Sequence, residues 1–237
     1  MITKGTIDFA DLDFQSGEVI LIDKPRGWSS FKVIHNIRKS IGVKKVGHAG
    51  TLDPMATGLL IVCTGKKTKE IIRFQDLEKT YKGTILLGKT SPSMDLETEI
   101  TSEKPAGDLS EKDILKLKEE FTGEIYQIPP MFSAVKVGGK SLYKLARKGK
   151  TIEREPRKVF ISKFDIEIAL PEIFFEIKCS KGTYIRAIAD DFGKKLGCGG
   201  LLSSLRRTGI GEYCVDNAVT VDEFISRIKI LPQLRKA

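Results

Sequence analysis

The sequence predicts an α+β fold, in which strands and helices share one chain. Two stretches, 159–168 and 173–180, alternate apolar and polar residues as paired strands do, and they join around Leu170-Pro171-Glu172. The short apolar runs 19–22 and 59–63 are typical of buried strands. Other segments carry apolar residues three and four positions apart, which is the spacing of an amphipathic helix.

The first elements follow from turn and cap residues. A buried strand at 18–23 meets a turn in which Pro25 and Gly27 prevent the strand from continuing. Ser29 or Ser30 then caps a helix. Its expected apolar face consists of Phe31, Ile34, Ile37 and Ile41.

The middle of the chain predicts two more strands and two more helices. Strand 59–63 is followed by a short helix from Lys66 to Phe74, and then by strand 80–87. A second helix starts at Ser110 with a capping box in which aspartate replaces the usual Glu or Gln. Its apolar stripe is Ile114, Leu117 and Phe121.

A basic segment occupies 131–158, with nine Lys or Arg and two Glu in 28 residues. Gly138-Gly139 predicts a hairpin-like turn, and 141–148 predicts a short basic helix. A solvated basic loop is one interpretation. An arm that binds phosphates explains the clustering better.

The last third predicts a helix with Ile188, Ala189, Phe192 and Leu196 towards the core, a strand at 201–208 and a helix at 221–228. No internal repeat or linker divides the sequence. We therefore expect one domain over residues 1–237, with the basic segment as an excursion from it.

The composition favours a globular protein with a polyanionic partner. The formal net charge is +9, from 40 Lys and Arg against 31 Asp and Glu. No signal core or membrane-length apolar run is present, so we expect a cytoplasmic protein that does not engage a membrane. The four scattered cysteines and the absence of nucleotide-binding motifs predict no metal and no cofactor.

The loop 46–58 contains three glycines and a proline, together with His48 and Asp53. Such a backbone turns tightly and admits close approach of a ligand. One interpretation is a glycine-rich turn that Asp53 merely caps. The other is a loop that holds one carboxylate at the edge of a pocket.

This loop resembles the Gly-His-x-Gly-Thr-Leu-Asp-Pro-x-Ala-Thr-Gly signature of bacterial tRNA pseudouridine-55 synthases, the TruB-type enzymes. Further similar segments, in family order, are 23–30, 79–81, 129–136 with the basic stretch after it, 179–186 and 205–207. The resemblance implies a pseudouridine-synthase-like core, whose mixed, largely antiparallel sheet is flanked by helices. It also identifies the basic segment, about 131–158, as an inserted thumb that grips RNA.

The resemblance assigns roles residue by residue. Asp53 would be the catalytic carboxylate, as nucleophile or base, and Arg186 would pair with it. Tyr81 and Leu205 would line the pocket for a flipped uracil, and His48 would stack against the RNA. Lys24 would touch phosphate or brace the loop. The expected phosphate contacts of the thumb are Lys136, Lys140, Lys144, Arg147, Lys148 and Lys150.

The implied reaction is the cofactor-independent isomerisation of the T-loop uridine at tRNA position 55 by a monomer that binds the T arm. The C-terminal PUA domain common in this family is not expected, because few residues follow Thr208. Two alternatives remain: a guide-RNA-dependent relative, and an RNA-binding module without catalysis. The thumb and the Ala49 and Ala56 forms of the loop favour an enzyme that needs no guide RNA.

Overall fold

The computed structural model describes residues 1–7, 9, 12–107 and 109–234. Helices form at α1 (Ser30–Ile41), α2 (Ile71–Asp76), α3 (Glu111–Glu120), α4 (Leu142–Ala146), α5 (Ile185–Lys195) and α6 (Val221–Leu234), with 3₁₀ turns at Gly65–Glu70 and Val215–Asn217. Strands form at β1 (Val19–Lys24), β2 (Val46–His48), β3 (Thr57–Thr64), β4 (Lys79–Leu87), β5 (Lys89–Thr90), β6 (Ser102–Glu103), β7 (Gly123–Gln127), β8 (Lys136–Val137), β9 (Lys140–Ser141), β10 (Arg157–Ala169), β11 (Glu172–Cys179), β12 (Gly200–Ile210), β13 (Tyr213–Cys214) and β14 (Val219–Thr220).

The chain forms two compact units, 1–81 with 206–237 and 82–205. In the first unit the strand order is β14, β1, β3 and the end of β12, with β2 beside β3 and β13 beside β12. In the second unit the order is the start of β12, then β4, β11, β10 and β7. Both parallel and antiparallel pairs occur, which confirms the predicted mixed α+β fold. The single catalytic domain over the whole chain stays a prediction.

In the first unit, both faces of strands β1 and β3 are buried, which explains the continuous apolar runs of these strands. Alternate residues such as Ile20 and Leu60 face a cluster that includes α1 and Phe224 of α6. The intervening residues, such as Leu21 and Ile61, face a second cluster. A strand covered on both sides loses the apolar and polar alternation of a half-exposed strand.

The second unit is packed around aromatic side chains from the sheet, from helix α5 and from the residue that caps the end of α3. The rings of Phe121 and Phe192 lie 5.4 Å apart, and the ring of Phe164 contacts both. Strands β10 and β11 pair antiparallel, as their alternating patterns predict. Each cross-strand side-chain pair of this kind stabilises a sheet by roughly 0.2–1 kcal/mol.

Helix α1 confirms one prediction and corrects another. Ser29 is the N-cap, and its Oγ accepts a hydrogen bond from the N–H of Lys32 at 3.1 Å. Phe31, however, is 70% exposed, so its placement on the apolar face is wrong. Val33 takes that place beside Ile37, because a rotation of about 100° per residue turns Phe31 away from the core stripe.

The structure also redraws the boundaries of the predicted loop. His48 ends β2, which pairs with β3, and Thr57 and Gly58 already belong to β3. The connecting loop is therefore 49–56, shorter than the predicted 46–58. Its two ends are fixed by the same sheet, so the positions between them have little freedom.

Local predictions around α3 and in the basic segment hold. The Ser110 hydroxyl accepts from the N–H of Asp113 and donates to its carboxylate, as a capping-box variant would. Gly138 and Gly139 both have positive φ and connect the antiparallel pair β8 and β9. The basic helix appears as α4 directly after this hairpin.

Candidate active site

Asp53 lies half-buried in the loop between β2 and β3. The N–H of Ala56 donates to the Asp53 carbonyl at 3.1 Å, which closes a turn around the carboxylate. Gly58 follows with φ of +105°, and a Cβ there would lie 2.3 Å from the carbonyl oxygen of Arg207. Glycine is required at this position because neither the conformation nor the space admits a side chain.

Ser30 holds the loop immediately before Asp53. Its Oγ accepts a hydrogen bond from the Leu52 N–H at 2.9 Å and donates one to the Leu52 carbonyl at 3.0 Å. Ser30 is 2% exposed, so water does not compete with these bonds. Both polar groups of one peptide residue are therefore fixed by a single hydroxyl from the first turn of α1.

Replacing Ser30 with alanine is expected to lower the free energy of unfolding by about 1–3 kcal/mol, because the Leu52 N–H loses a buried partner. The same change should reduce the rate of any reaction that depends on the Asp53 position. Urea unfolding followed by a rate measurement checks both effects. Ser40→Ala is the matched control, since its hydroxyl contacts a single carbonyl on the same helix. Equal losses in the two variants would contradict the positioning role of Ser30.

The turn before α1 braces the loop from the same side. The Gly27 N–H donates to the Pro54 carbonyl at 2.8 Å. Lys24 is fully buried, and its Nζ donates to the carbonyls of Pro25 and Trp28 at 3.0 and 2.7 Å. Burial lowers the pKa of the Lys24 ammonium to about 8, although the nearby carboxylate of Asp53 opposes this shift. This placement favours the bracing role of Lys24 over the alternative contact with phosphate.

Arg207 donates hydrogen bonds on both sides of the Asp53 loop, and the sequence prediction missed this residue. It is 1% exposed, and its Nε donates to the Leu59 carbonyl at 2.7 Å, while its Nη2 donates to the Gly50 carbonyl at 3.2 Å. One guanidinium thus ties both flanks of the loop to β12. The sequence did contain one signal for it, the pair Arg206-Arg207 inside the predicted strand 201–208. A strand of this kind is partly buried, and a buried arginine needs hydrogen-bonding partners, so one of the two could have been expected to hold a nearby loop.

The preceding residue, Arg206, has a different task. Its guanidinium makes two hydrogen bonds to the Asp23 carboxylate, at 3.0 and 2.7 Å. This bidentate pair links β12 to β1, the strand that leads into the bracing turn. Arg206 and Arg207 therefore secure neighbouring parts of one framework.

His48 stands at the end of β2 and is half-buried. Burial lowers the pKa of its imidazole, and the cation of Arg207 lowers this pKa further, while the backbone of Gly50 opposes the shift. Since the ordinary histidine pKa is about 6.5, His48 is neutral at pH 7. A neutral flat ring suits the stacking that was predicted for it, and that role stays a prediction.

Arg186 is buried at the start of α5 in the second unit, with 2% exposure. Its Nη1 donates to the Ser93 carbonyl and its Nη2 to the Phe132 carbonyl, both at 2.7 Å. Its Nε lies 3.6 Å from Oδ2 of the buried Asp95. Asp95 is a second residue that the sequence prediction missed, because it lies in a loop far from Arg186 in the sequence. Pairing of Arg186 with Asp53 stays a prediction.

The remaining predicted site residues are placed as follows. Tyr81 is buried on β4 in the first unit, and Leu205 is half-buried on β12 in the second. Their shared pocket stays a prediction. All the predicted basic residues of the thumb are exposed: Lys136, Lys140, Lys144, Arg147, Lys148 and Lys150.

Within the described part of the chain, no three His, Cys, Asp or Glu side chains come together as metal ligands would. Cys63 and Cys179 are buried on β3 and β11, as predicted. Among the residues that the structure describes, no helix is long and apolar enough to span a membrane.

Two solved structures have a fold similar to this one. A crystal structure of a Cbf5–Nop10–Gar1 complex matches with a TM-score of 0.71 and 29% identity. An H/ACA RNP bound to a substrate RNA containing 2′-deoxyuridine matches with a TM-score of 0.69 and 26% identity. Each match covers 93% of this chain and 56% of the solved chain. The core is thus that of the pseudouridine synthase class, which confirms the predicted fold.

Comparison with protein families narrows the class. Residues 38–185 match the N-terminal domain of the TruB family pseudouridylate synthases, and residues 186–232 match the tRNA pseudouridylate synthase B C-terminal domain. The tRNA pseudouridine synthase B of Flavobacterium johnsoniae is 50% identical over 220 residues, which are 90% of this chain and 96% of that protein. The protein of the same name from Phocaeicola vulgatus is 46% identical over 220 residues, 90% and 94% of the two chains. The chain therefore belongs to the TruB family of pseudouridylate synthases.

Proposed function

We propose that this chain is a tRNA pseudouridine synthase that isomerises the T-loop uridine at tRNA position 55. The observation that carries the proposal is the rigid placement of Asp53. Its loop is held at Leu52 by Ser30, at Pro54 by Gly27 and at Gly50 by Arg207. Membership of the TruB family supports the same reaction.

The reaction rearranges bonds within one nucleotide. The C1′–N1 bond of uridine breaks, the uracil turns, and C5 bonds to C1′. The hydrogen on C5 leaves as a proton and N1 gains one, so the substrate and the product have the same formula. Nothing is oxidised and no group is imported. A single carboxylate that acts as nucleophile or base is sufficient for this chemistry, and Asp53 supplies it.

The target base must leave the stacked loop before Asp53 reaches it. Flipping a nucleotide costs roughly a few kcal/mol, which contacts in the pocket and to the backbone offset. Tyr81 and Leu205 would enclose the flipped uracil, and His48 would stack in or near the space it leaves. The neutral state of His48 at pH 7 agrees with this role.

The partner in this proposal is the T arm of tRNA, bound by a cytoplasmic monomer without a guide RNA. The thumb supplies phosphate contacts, which position RNA but do not read its sequence. The similar H/ACA structures keep a guide-dependent reaction as the second candidate. The inserted basic thumb favours direct recognition of the substrate.

The test uses an unmodified tRNA transcript labelled with tritium at uridine C5, incubated with the full chain and no guide RNA. Release of tritium from wild-type transcript, and none from a transcript with cytidine at position 55, is the expected result. Activity that depends on added guide RNA would support the second candidate. Binding of the transcript without tritium release would indicate a module without catalysis.

Neutralising Lys144, Arg147 and Lys148 together is expected to weaken tRNA binding and to flatten its dependence on salt. Each lost phosphate contact should reduce the log–log salt slope by about 1. Filter binding between 50 and 200 mM salt measures the slope, because the affinity of a protein for nucleic acid changes strongly over this range of salt concentration.

The matched control removes the same charge from three exposed lysines outside the thumb, as Lys104→Gln, Lys112→Gln and Lys116→Gln. The control should leave the salt slope close to that of the wild type. Equal slopes for the thumb variant and the wild type would show that the thumb is ordinary surface.

A further inference from the structure

The thumb is anchored to the rest of the second unit through Tyr143 on α4. Its hydroxyl donates a hydrogen bond to Oε1 of Glu97 at 2.9 Å. Within the thumb, its ring meets the ring of Phe132 edge to face, with 6.0 Å between centroids. The adjacent Leu142 is fully buried, so α4 is packed against the unit and not merely tethered to it.

The two segments that Tyr143 contacts are the segments that hold Arg186. The Phe132 carbonyl accepts from Nη2 of Arg186, and the Ser93 carbonyl accepts from Nη1. Asp95, two residues before Glu97, forms the ion pair with Nε. These three contacts of the guanidinium therefore depend on the segments 93–97 and 132.

These contacts close into a ring. The Glu97 N–H donates to Oδ1 of Asp95 at 2.9 Å, while Oδ2 of the same carboxylate faces Arg186. Tyr143 bonds Glu97 on one side and packs on Phe132 on the other. Starting from Arg186, the path runs through Asp95, Glu97, Tyr143 and Phe132 back to the guanidinium.

The loop that carries Asp95 and Glu97 is stiff enough to transmit a displacement. The fully buried Ser93 bonds the Thr98 hydroxyl at 2.8 Å and accepts from the Thr98 N–H at 3.1 Å. The Ser91 hydroxyl donates to the Asp95 carbonyl. A loop closed on itself in this way moves as one piece, because bending it would break buried hydrogen bonds.

The Tyr143 hydroxyl remains a donor at physiological pH. Its hydrogen bond to Glu97 raises the pKa of the phenol, and burial and the negative charge of Glu97 raise it further, against a smaller opposing effect of Arg147. Since the ordinary tyrosine pKa is about 10, the bond persists across the neutral range.

We propose that Tyr143 and Glu97 are positioning residues that couple the docking of RNA on the thumb to the orientation of Arg186. The exposed cations of α4 and of the turn after it, Lys144, Arg147 and Lys148, meet the phosphates. Tyr143, on the same helix, transmits the resulting position of α4 to both segments that hold the guanidinium. This inference rests on the proposed function, since its readout is the rate of pseudouridine formation.

The test compares Tyr143→Phe with the wild type in single-turnover reactions at saturating tRNA. The substitution removes the hydroxyl and keeps the ring against Phe132. The rate should fall about fivefold to tenfold, the loss expected for one positioning hydrogen bond, while the tRNA Kd stays within about twofold. Tyr126→Phe is the matched control, because Tyr126 is 68% exposed on β7, and it should leave the rate unchanged.

Substitutions of Glu97 separate coupling from a merely structural effect. Glu97→Ala should lower the rate as Tyr143→Phe does, and Glu97→Gln, which keeps an acceptor oxygen, should restore most of it. The double variant Tyr143→Phe/Glu97→Ala should be no slower than either single variant, since all three lack the same bond. If the tyrosine variant fails to fold, as judged by thermal unfolding, the glutamate pair alone decides.

Three results would overturn the coupling. A wild-type rate in Glu97→Ala would do so, as would a loss confined to Kd. Independent, multiplicative losses in the double variant would also exclude a shared bond. Failure of the proposed function is distinguishable, because the wild type itself would then form no pseudouridine on the transcript.

Discussion

Asp53→Asn is expected to lower the rate of pseudouridine formation by at least about 10⁴-fold, the scale at which removal of a central reacting group acts in other enzymes. The asparagine amide has the same shape as the carboxylate, so the hydrogen-bonded loop should persist. The amide is neither a useful nucleophile nor a base, so the reaction should be lost. Affinity for tRNA should stay within about threefold, since phosphate contacts elsewhere supply a large share of it. Single-turnover rates and filter binding measure the two quantities separately.

The control for this prediction is Asp76→Asn, which removes one carboxylate at the end of α2. It should leave the single-turnover rate near that of the wild type. An Asp53→Asn protein that converts uridine at the wild-type rate would disprove the catalytic assignment. A variant that no longer binds tRNA would show that Asp53 serves affinity instead.

Asp95→Ala is expected to have the second largest effect. The Asp95 and Arg186 side chains are 4% and 3% exposed, so the substitution leaves a buried cation without this counter-charge. Breaking a buried pair in this way costs about 3–5 kcal/mol of unfolding free energy. The guanidinium should also shift. Because the proposed coupling acts through the orientation of Arg186, we expect a loss of about a hundredfold in rate, the cost of a displacement near 1 Å at a reacting centre. Urea unfolding and single-turnover kinetics check the two parts.

Asp165→Ala is the matched control for Asp95→Ala. Asp165 also pairs with a cation, Lys163, at 2.8 Å, but it is exposed on β10. Solvent screens such a pair, so stability and rate should change little. Similar losses in the two variants would mean that burial of the Asp95 pair has no special consequence.

Local signals in the sequence predicted much of the fold. The cap at Ser29, the capping box at Ser110 and the turn at Gly138-Gly139 depend on neighbours within a few residues, and all three form as expected. The pairing of β10 with β11 follows from alternation across a short connection. The residues that form these contacts are close together in the sequence, so a local sequence pattern is enough to predict them.

Phe31 shows where a pattern is insufficient. The stripe through Ile34 and Ile37 is consistent with Phe31 or with Val33 at the next apolar position. The cluster shared with α6 selects Val33, and no local signal reports the position of that helix. Phe31 is consequently exposed, although its residue type favours burial.

The supports of the candidate site were the least predictable part, because residues far apart in sequence provide them. Arg207 reaches the Gly50 carbonyl across 157 positions, and Asp95 meets Arg186 from another element of the second unit. Lys24 was found by its motif, but the choice between phosphate contact and bracing required knowledge of its burial. The sequence predicts Asp53 as the reacting group, and the structure identifies what holds its loop in place.

Site-resolved pseudouridine mapping on one unmodified tRNA transcript tests the central claim most directly. The transcript is treated with wild type or Asp53→Asn, without guide RNA, and every uridine is read. We expect pseudouridine at position 55 after treatment with wild type and at no position after treatment with the variant. Modification at position 55 by the variant at the wild-type rate, or no modification by wild type at that uridine, would contradict the account.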